Sequence, residues 1–172
     1  MQNPFVKYGL YYLLLYIVTS LGIYLVDAGW LFHMYTGWVW LLILIGFMYA
    51  AIREKKLQSQ GFLTLQQGFR ETWLTFAIGM GATVIFNYIL TNYVDVQLLE
   101  IQKEIQIEAI QNMASSMNLS EEKTQKQIEE LRNSDGPSLS KLFFGYASFL
   151  LVGAVPAIIL AAVFKKSPEN ID

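Results

Sequence analysis

The sequence contains no cysteine and a single histidine, and charged side chains make up only 15% of its 172 residues. The absence of cysteine excludes disulfides, thiolate metal sites and cysteine nucleophiles. The lone histidine, His33, leaves little scope for metal binding by imidazole. Soluble domains carry roughly 25% charged residues. The low charge and the 54% apolar content therefore indicate that something other than a water-soluble core uses the apolar residues.

Motifs of catalysis and nucleotide binding are missing as well. The chain has no nucleophile elbow, no phosphate-binding glycine loop and no zinc-protease motif. No charged residue lies in the middle of a long apolar stretch, where an ionisable group would mark an ion path. The net charge of −2 gives no general attraction to nucleic acid. We therefore predict a protein without enzymatic activity, catalytic residues, cofactor or metal, and without a nucleic-acid partner.

Four stretches without Lys, Arg, Asp or Glu are long enough to cross a bilayer, which takes about 20 apolar residues of helix. They cover residues 8–26, 30–52, 72–94 and 142–164. A water-soluble bundle is excluded because helices apolar on every face would all need full burial, which so short a chain does not provide. A cleaved signal peptide is the alternative for the first stretch, but its length, its aromatic content and the lack of a small-residue cleavage pattern favour a retained helix. The predicted fold class is an all-α integral membrane protein with four transmembrane helices.

Basic residues fall on alternate sides of these stretches. Lys7 precedes the first, Arg53, Lys55, Lys56 and Arg70 lie between the second and the third, and Lys165 and Lys166 follow the fourth. The side that holds both termini carries seven basic and four acidic residues, and the other side carries five basic and ten acidic residues. Short cytoplasmic loops retain Lys and Arg. We therefore predict an inner-membrane protein with both termini in the cytoplasm and residues 95–141 outside it.

Small residues at intervals of four predict where helices approach closely, since helix association in lipid depends on backbone contact. The fourth stretch carries Gly153, Ala157 and Ala161, the third carries Ala77 and Gly81, and the second carries Gly46 and Ala50. Asn87 is the best polar candidate deep in the third stretch, with Thr83 as a lesser one. A hydrogen bond between helices is the ordinary role of such a residue, and a polar transport path is the alternative.

Residues 61–72 read GFLTLQQGFRET, which places Phe62, Leu65 and Phe69 at helical spacing before Arg70. This pattern predicts a short amphipathic segment that lies at the inner headgroups. We expect the third membrane helix to begin after it, near Thr72.

Residues 95–141 form a predicted insert that is acidic and helical in composition. No Gly or Pro occurs between Ala82 and Asp135, so we predict that the third helix continues past Val94 to about Met117, or bends near Ile105. Two apolar stripes lie on opposite faces of this extension at 100° per residue. One consists of Leu98, Ile101, Ile105 and Ala109, and the other of Val96, Leu99, Ile107, Ile110, Ala114 and Met117.

A second helix of the insert is indicated by Ser120 as N-cap, with Glu121 and Glu122 in the first turn, where carboxylates complement the helix dipole. Its apolar positions are only Ile128 and Leu131. That face is too narrow to cover both stripes. We therefore predict self-association or contact with another membrane protein through Leu98, Ile101, Ile105, Ile107, Ile110 and Met117.

Five segments carry a resemblance to a known family: VKYGLYYLLL, GFLTLQQGFRETW, NYILTNYVDVQLLEIQKEIQIEAIQNM, NLSEEKTQKQIEELR and the closing AAVFKK. Together they resemble a domain-of-unknown-function family of small bacterial inner-membrane proteins that is common in Bacteroidetes. The resemblance implies four membrane helices with a helical insert before the last, and it implies no activity or site residues. Members tend to have an Asp-Pro step after the third helix, whereas this chain has Asp95 followed by Val96. The residue that would enforce a sharp break is missing here.

Two classes of function fit these features. The predicted insert and the lack of charge within the apolar stretches favour a structural, assembly or regulatory subunit that acts through the insert. The alternative is a small oligomeric transporter or channel, which would need a polar path past Asn87.

Overall fold

The computed structural model describes residues 3–117, 120–134 and 139–166. It consists of α1 (Pro4–Val26), a 3-10 helix (Ala28–Phe32), α2 (Met34–Gln58), α3 (Leu65–Ile89) with a π-helical turn at Leu90–Val94, α4 (Gln97–Met117), α5 (Glu121–Arg132) and α6 (Leu139–Phe164). No β-strand occurs in these ranges. Among the described residues, four segments are long and apolar enough to cross a membrane, namely Pro4–Val26, Met34–Gln58, Leu65–Val94 and Ser140–Phe164. The predicted all-α membrane fold is confirmed.

The start of α1, the end of α2 and the end of α6 lie at the same end of the bundle. Helix α1 begins with Pro4, which fits a first helical position because the N–H that proline lacks has no partner there. Three residues later, Lys7 Nζ lies 2.7 Å from Glu54 Oε2 near the end of α2. The turn after α2 pairs with the end of α6, since Leu63 and Lys166 exchange backbone hydrogen bonds of 3.0 and 2.9 Å. We call this the N-terminal end of the bundle, and the opposite one the α4 end.

Helix α3 is the centre of the bundle, because it packs against α1, α2 and α6. Its contact with α1 includes Gly79, where an added Cβ would lie 2.8 Å from Tyr12 Cδ1 and 2.9 Å from Leu44 Cδ1 of α2. A side chain at this position would therefore separate three helices at once. Tyr12, Leu44 and Phe76 are all buried around it.

The first turns of α3 correct the prediction of a separate amphipathic segment over 61–72. The helix begins at Leu65, where Thr64 and Gln67 form a capping box. The Thr64 hydroxyl accepts from the Gln67 N–H at 3.2 Å, and Gln67 Oε1 accepts from the Thr64 N–H at 3.1 Å. This reciprocal capping satisfies two helix-start donors and makes residues 65–72 the beginning of the membrane helix itself.

The end of α3 corrects the prediction of one continuous helix to Met117. The chain leaves the π-helical turn at Asp95, whose backbone is extended at φ −143° and ψ 98°. Asp95 Oδ1 then accepts the N–H of Gln97 at 3.0 Å, so its side chain caps the start of α4. An aspartate cap breaks the helix here without a proline. The alternative of a bend near Ile105 is also wrong, because α4 is unbroken across that residue.

Gly153 of α6 lies directly against the ring of Phe76, and a Cβ added there would overlap that ring. We expect Gly153→Ala to lower the free energy of unfolding by about 1–3 kcal/mol, because overpacking of a filled core forces neighbours to shift. Gly145→Ala in the same helix is the matched control, since a Cβ there meets nothing within 4 Å. That control should be neutral or slightly stabilising, because alanine is the better helix former. Unfolding in mixed detergent micelles measures both, and equal losses for the two variants would contradict this description of the α3–α6 contact.

Candidate functional site in the bundle and the α4–α5 pair

A line of polar side chains runs along the face of α3 that meets α1. Its members follow one another at intervals of four residues or, around Gly79, of eight, and are Glu71, Thr75, Thr83, Asn87, Thr91 and Asp95. Helix α1 carries its own buried polar residues at intervals of four, namely Tyr12, Tyr16 and Ser20. Because α1 and α3 cross the bundle in the same direction, the two lines face each other with a nearly constant offset. We call the two lines together the polar seam.

Tyr16 and Asn87 form the central contact of the polar seam. The Tyr16 hydroxyl oxygen lies 2.9 Å from Asn87 Nδ2 and 3.0 Å from Asn87 Oδ1. The neighbouring hydroxyls of Thr83 and Thr91 donate back to their own helix, to the carbonyls of Gly79 and Asn87. Asn87, which the sequence singled out as a possible polar path, is therefore used in a bond between helices.

Glu71 closes the polar seam at the N-terminal end, and the sequence did not single it out. The side chain is only 4% exposed, and Oε1 accepts the Phe5 N–H at 2.7 Å. Asn3, the N-cap of α1, makes no side-chain cap bond. The carboxylate of α3 thus caps α1, where it meets the positive end of the helix dipole. Its position four residues before Thr75 was a usable signal, but the prediction that α3 begins near Thr72 left it outside the helix.

Asp95 closes the polar seam at the α4 end. Its Oδ1 caps α4, and its Oδ2 accepts a hydrogen bond from the Tyr24 hydroxyl at 2.9 Å. One carboxylate therefore links α1, the end of α3 and the start of α4. The sequence named Asp95 only as the place of a missing Asp-Pro step. The two ends of the polar seam are therefore built alike. At each end a carboxylate accepts a hydrogen bond from a backbone N–H in the first turn of another helix.

The small residues predicted for helix contact lie mainly between α3 and α6. Ala157 and Ala161 are fully buried, and Ala161 is 3.2 Å from the Cβ position of Gly68. On the other side of the contact, the Ala77 carbonyl accepts the hydroxyl of Tyr146 at 2.9 Å. Gly81 also lies beside Tyr146, whereas Gly46 of α2 faces open space.

The predicted partner-binding residues lie on α4, which contacts both the 3-10 helix and α5. Leu98 is fully buried, and Ile128 of α5 is buried as well. Four of the predicted residues are half-buried, namely Ile101, Ile105, Ile107 and Ile110. Met117 at the far end of α4 is 65% exposed. The chain therefore covers much of its own stripes, and the open apolar surface is concentrated at the last turns of α4.

Residues 7–166 match the family described as Protein of unknown function (DUF4199). The chain belongs to this family. The match runs from the first turn of α1 to the end of α6, so it includes both ends of the polar seam and the α4–α5 pair. No curated protein and no solved structure matches the chain.

One buried hydroxyl of the polar seam in this DUF4199 chain makes no hydrogen bond to the described residues. Ser20 is fully buried on α1, and its Oγ has no hydrogen-bond partner among the described residues. It lies one turn from Tyr16 on the same face of the helix. A buried hydroxyl without a hydrogen bond is costly.

We expect Tyr16 and Asn87 to show an energetic coupling in a double-mutant cycle of Tyr16→Phe and Asn87→Leu. Hydrogen bonds between membrane helices are worth about 0.6 kcal/mol on average and up to about 2 kcal/mol, so the coupling should fall in that range. Unfolding in mixed micelles measures the free energies. Tyr11→Phe combined with Asn87→Leu is the control, because Tyr11 is exposed on α1 and should give additive losses. Additive losses in the Tyr16 cycle would refute the bond.

Proposed function

We propose that this DUF4199 protein is a non-enzymatic, membrane-anchored subunit with a structural, assembly or regulatory role that it exerts through the α4–α5 pair. The observation that carries the proposal is the open apolar surface at the end of α4, where Met113 is 50% and Met117 is 65% exposed. Methionine side chains are flexible and polarisable, and they are frequent on surfaces that bind other proteins.

The attachment of the α4–α5 pair to the bundle supports this role. Leu98 is buried in the first turn of α4, and the Asp95 carboxylate bonds both to Tyr24 and to the start of α4. The base of the pair is therefore held by α1 as well as by its connection to α3. A partner on α4 would be positioned relative to the whole membrane bundle.

The partner that fits this surface is a second copy of the chain or another membrane protein. Helix α5 uses its buried apolar residue, Ile128, within the chain and is otherwise mostly charged or polar. The open apolar contact area thus consists of the two methionines on α4 and of Val96, which directly precedes α4. A partner anchored in the same bilayer could meet both ends of α4.

The contacts of Asn87 favour an anchoring bundle over a transport path. The amide bonds to Tyr16, and both neighbouring threonines bond within α3. The polar groups around Asn87 are thus satisfied by one bond between helices and by bonds within α3, which is the ordinary role of polar residues between membrane helices.

For the orientation, we propose that the N-terminal end of the bundle is cytoplasmic and that the membrane is a bacterial inner membrane. The support is the basic cluster that the fold gathers at this end, where α1 begins and α2 and α6 finish. It consists of Lys7, Arg53, Lys55, Lys56, Arg70, Lys165 and Lys166. Basic residues next to short loops are retained on the cytoplasmic side.

The absence of native cysteine allows a direct test of orientation by single-cysteine labelling. We expect Glu108→Cys on α4 to react with a membrane-impermeant maleimide in intact cells. Gln58→Cys at the end of α2 should react only after permeabilisation. Both positions are exposed, so accessibility to the reagent depends on the side of the membrane. The reverse pattern would overturn the proposed orientation.

The proposed interaction surface predicts site-selective cross-linking. A photoreactive benzoylphenylalanine at Met117 should yield a discrete adduct in membranes, at twice the mass of the chain if the partner is a second copy. The same group at Glu104, on another face of α4, is the matched control and should yield at least about tenfold less adduct, because cross-linking needs direct contact. Equal adducts at both positions, or none at Met117, would count against a partner at the end of α4.

A further inference from the structure

A groove of about 500 Å³ opens on the surface of the bundle at the α4 end. It is lined by residues of the last turns of α1, of the link that follows and of the 3-10 helix, namely Thr19, Gly22, Ile23, Val26, Asp27 and Trp30. Sites for small molecules have volumes of roughly 300–1,000 Å³ and mostly apolar walls, and this groove has both properties.

Gly22 forms part of the floor of the groove. A Cβ added to Gly22 would meet nothing within 4 Å, so the glycine is not required for contact with another helix. It lies four residues before the end of the membrane span at Val26, which is about 6 Å along the helix axis. With the candidate span ending at Val26, the apolar part of the groove lies about one helical turn inside the span.

The lining of the groove is almost wholly apolar, and its one charged residue is the exposed Asp27 at the rim. Asp27 ends α1, and its Oδ1 accepts the N–H of Gly29 at 2.9 Å. No basic side chain among the described residues forms a salt bridge with Asp27. Trp30 is 62% exposed beside it, and indole rings prefer the interface between acyl chains and water. The groove thus combines an apolar lining with a single negative charge at its rim, just beyond the end of the candidate span.

We propose that the groove binds a phospholipid whose headgroup carries a primary ammonium, with an acyl chain along Gly22 and Ile23 and the ammonium beside the Asp27 carboxylate. The position of the walls within the membrane span selects a lipid as the occupant. The charge of Asp27 selects among lipids, because a carboxylate attracts an ammonium and repels an anionic headgroup. An ammonium with N–H donors also offers hydrogen bonds that a quaternary amine lacks.

The test is lipid binding by the purified full chain, measured by native mass spectrometry with phosphatidylethanolamine, phosphatidylglycerol and phosphatidylcholine of the same acyl composition. We expect phosphatidylethanolamine adducts to exceed phosphatidylglycerol adducts by about threefold, the size expected of one partly exposed ion pair. Asp27→Asn keeps the acceptor for Gly29 and removes the charge, so it should abolish this preference while the protein stays folded. An unchanged preference in that variant would overturn the role of Asp27.

Gly22→Phe tests the apolar part of the groove, because the ring would occupy the space without displacing another helix. We expect it to reduce adducts of phosphatidylethanolamine by about tenfold through lost apolar contact. Gly145→Phe adds the same ring at another open position and should leave binding unchanged. Equal binding by the two phenylalanine variants, with melting temperatures like that of the unmodified chain, would overturn the groove as the lipid site.

Discussion

A polar group between membrane helices has no water with which to bond, so it needs a partner within the protein. The polar seam between α1 and α3 is organised by this requirement. Asn87 bonds to Tyr16 across the two helices, and the threonines of α3 bond to carbonyls one turn away in the same helix. Because these partners lie at fixed positions along the two helices, the polar seam fixes the axial position of α1 relative to α3. The other contacts of α3 are built around that relation.

Helix α3 contacts α2 and α6 mainly through close packing and less through hydrogen bonds. Gly79 of α3 leaves room for both α1 and α2 to approach, and Gly153 of α6 leaves room for the ring of Phe76 on α3. Lipid tails are as apolar as leucine, so close contact and a few hydrogen bonds have to supply the association energy. Tyr146 adds one such bond to the Ala77 carbonyl, and Trp73 adds another to the carbonyl of Leu150. A central helix rich in glycine and threonine meets these requirements on three sides.

The membrane spans were predictable from the sequence because the thickness of hydrocarbon sets a length that any apolar run must satisfy. The ends of α3 were not. Its start depends on the mutual bonds of Thr64 and Gln67, and polar residues such as Arg70 made the first turns look like a separate amphipathic segment. Its end depends on Asp95, whose side chain breaks the helix by capping the next one. Such capping is decided by local geometry, and composition favoured helix throughout this stretch.

The candidate site was predictable in part for a related reason. Asn87 stood out as a polar residue at depth, but its partner Tyr16 was one of many aromatic residues on α1. Periodicity states which residues share a face, and it does not state which face of another helix they meet. Likewise, the two stripes on α4 were visible in the sequence, whereas coverage by the 3-10 helix required knowledge of where the α1–α2 connection lies. Part of the apolar surface that the sequence assigned to a partner is therefore covered by the chain itself.

Among the contacts that join the membrane bundle to the α4–α5 pair, one acidic residue has two acceptors. Asp95 bonds to Tyr24 through one oxygen and to the start of α4 through the other. A displacement of α4 would strain the contact with α1, and α1 is held in turn at its far end by Glu71. The two carboxylates thus connect both ends of the bundle through α1 and α3. Helix α4 is therefore connected through Asp95 to α1, and through α1 to the start of α3.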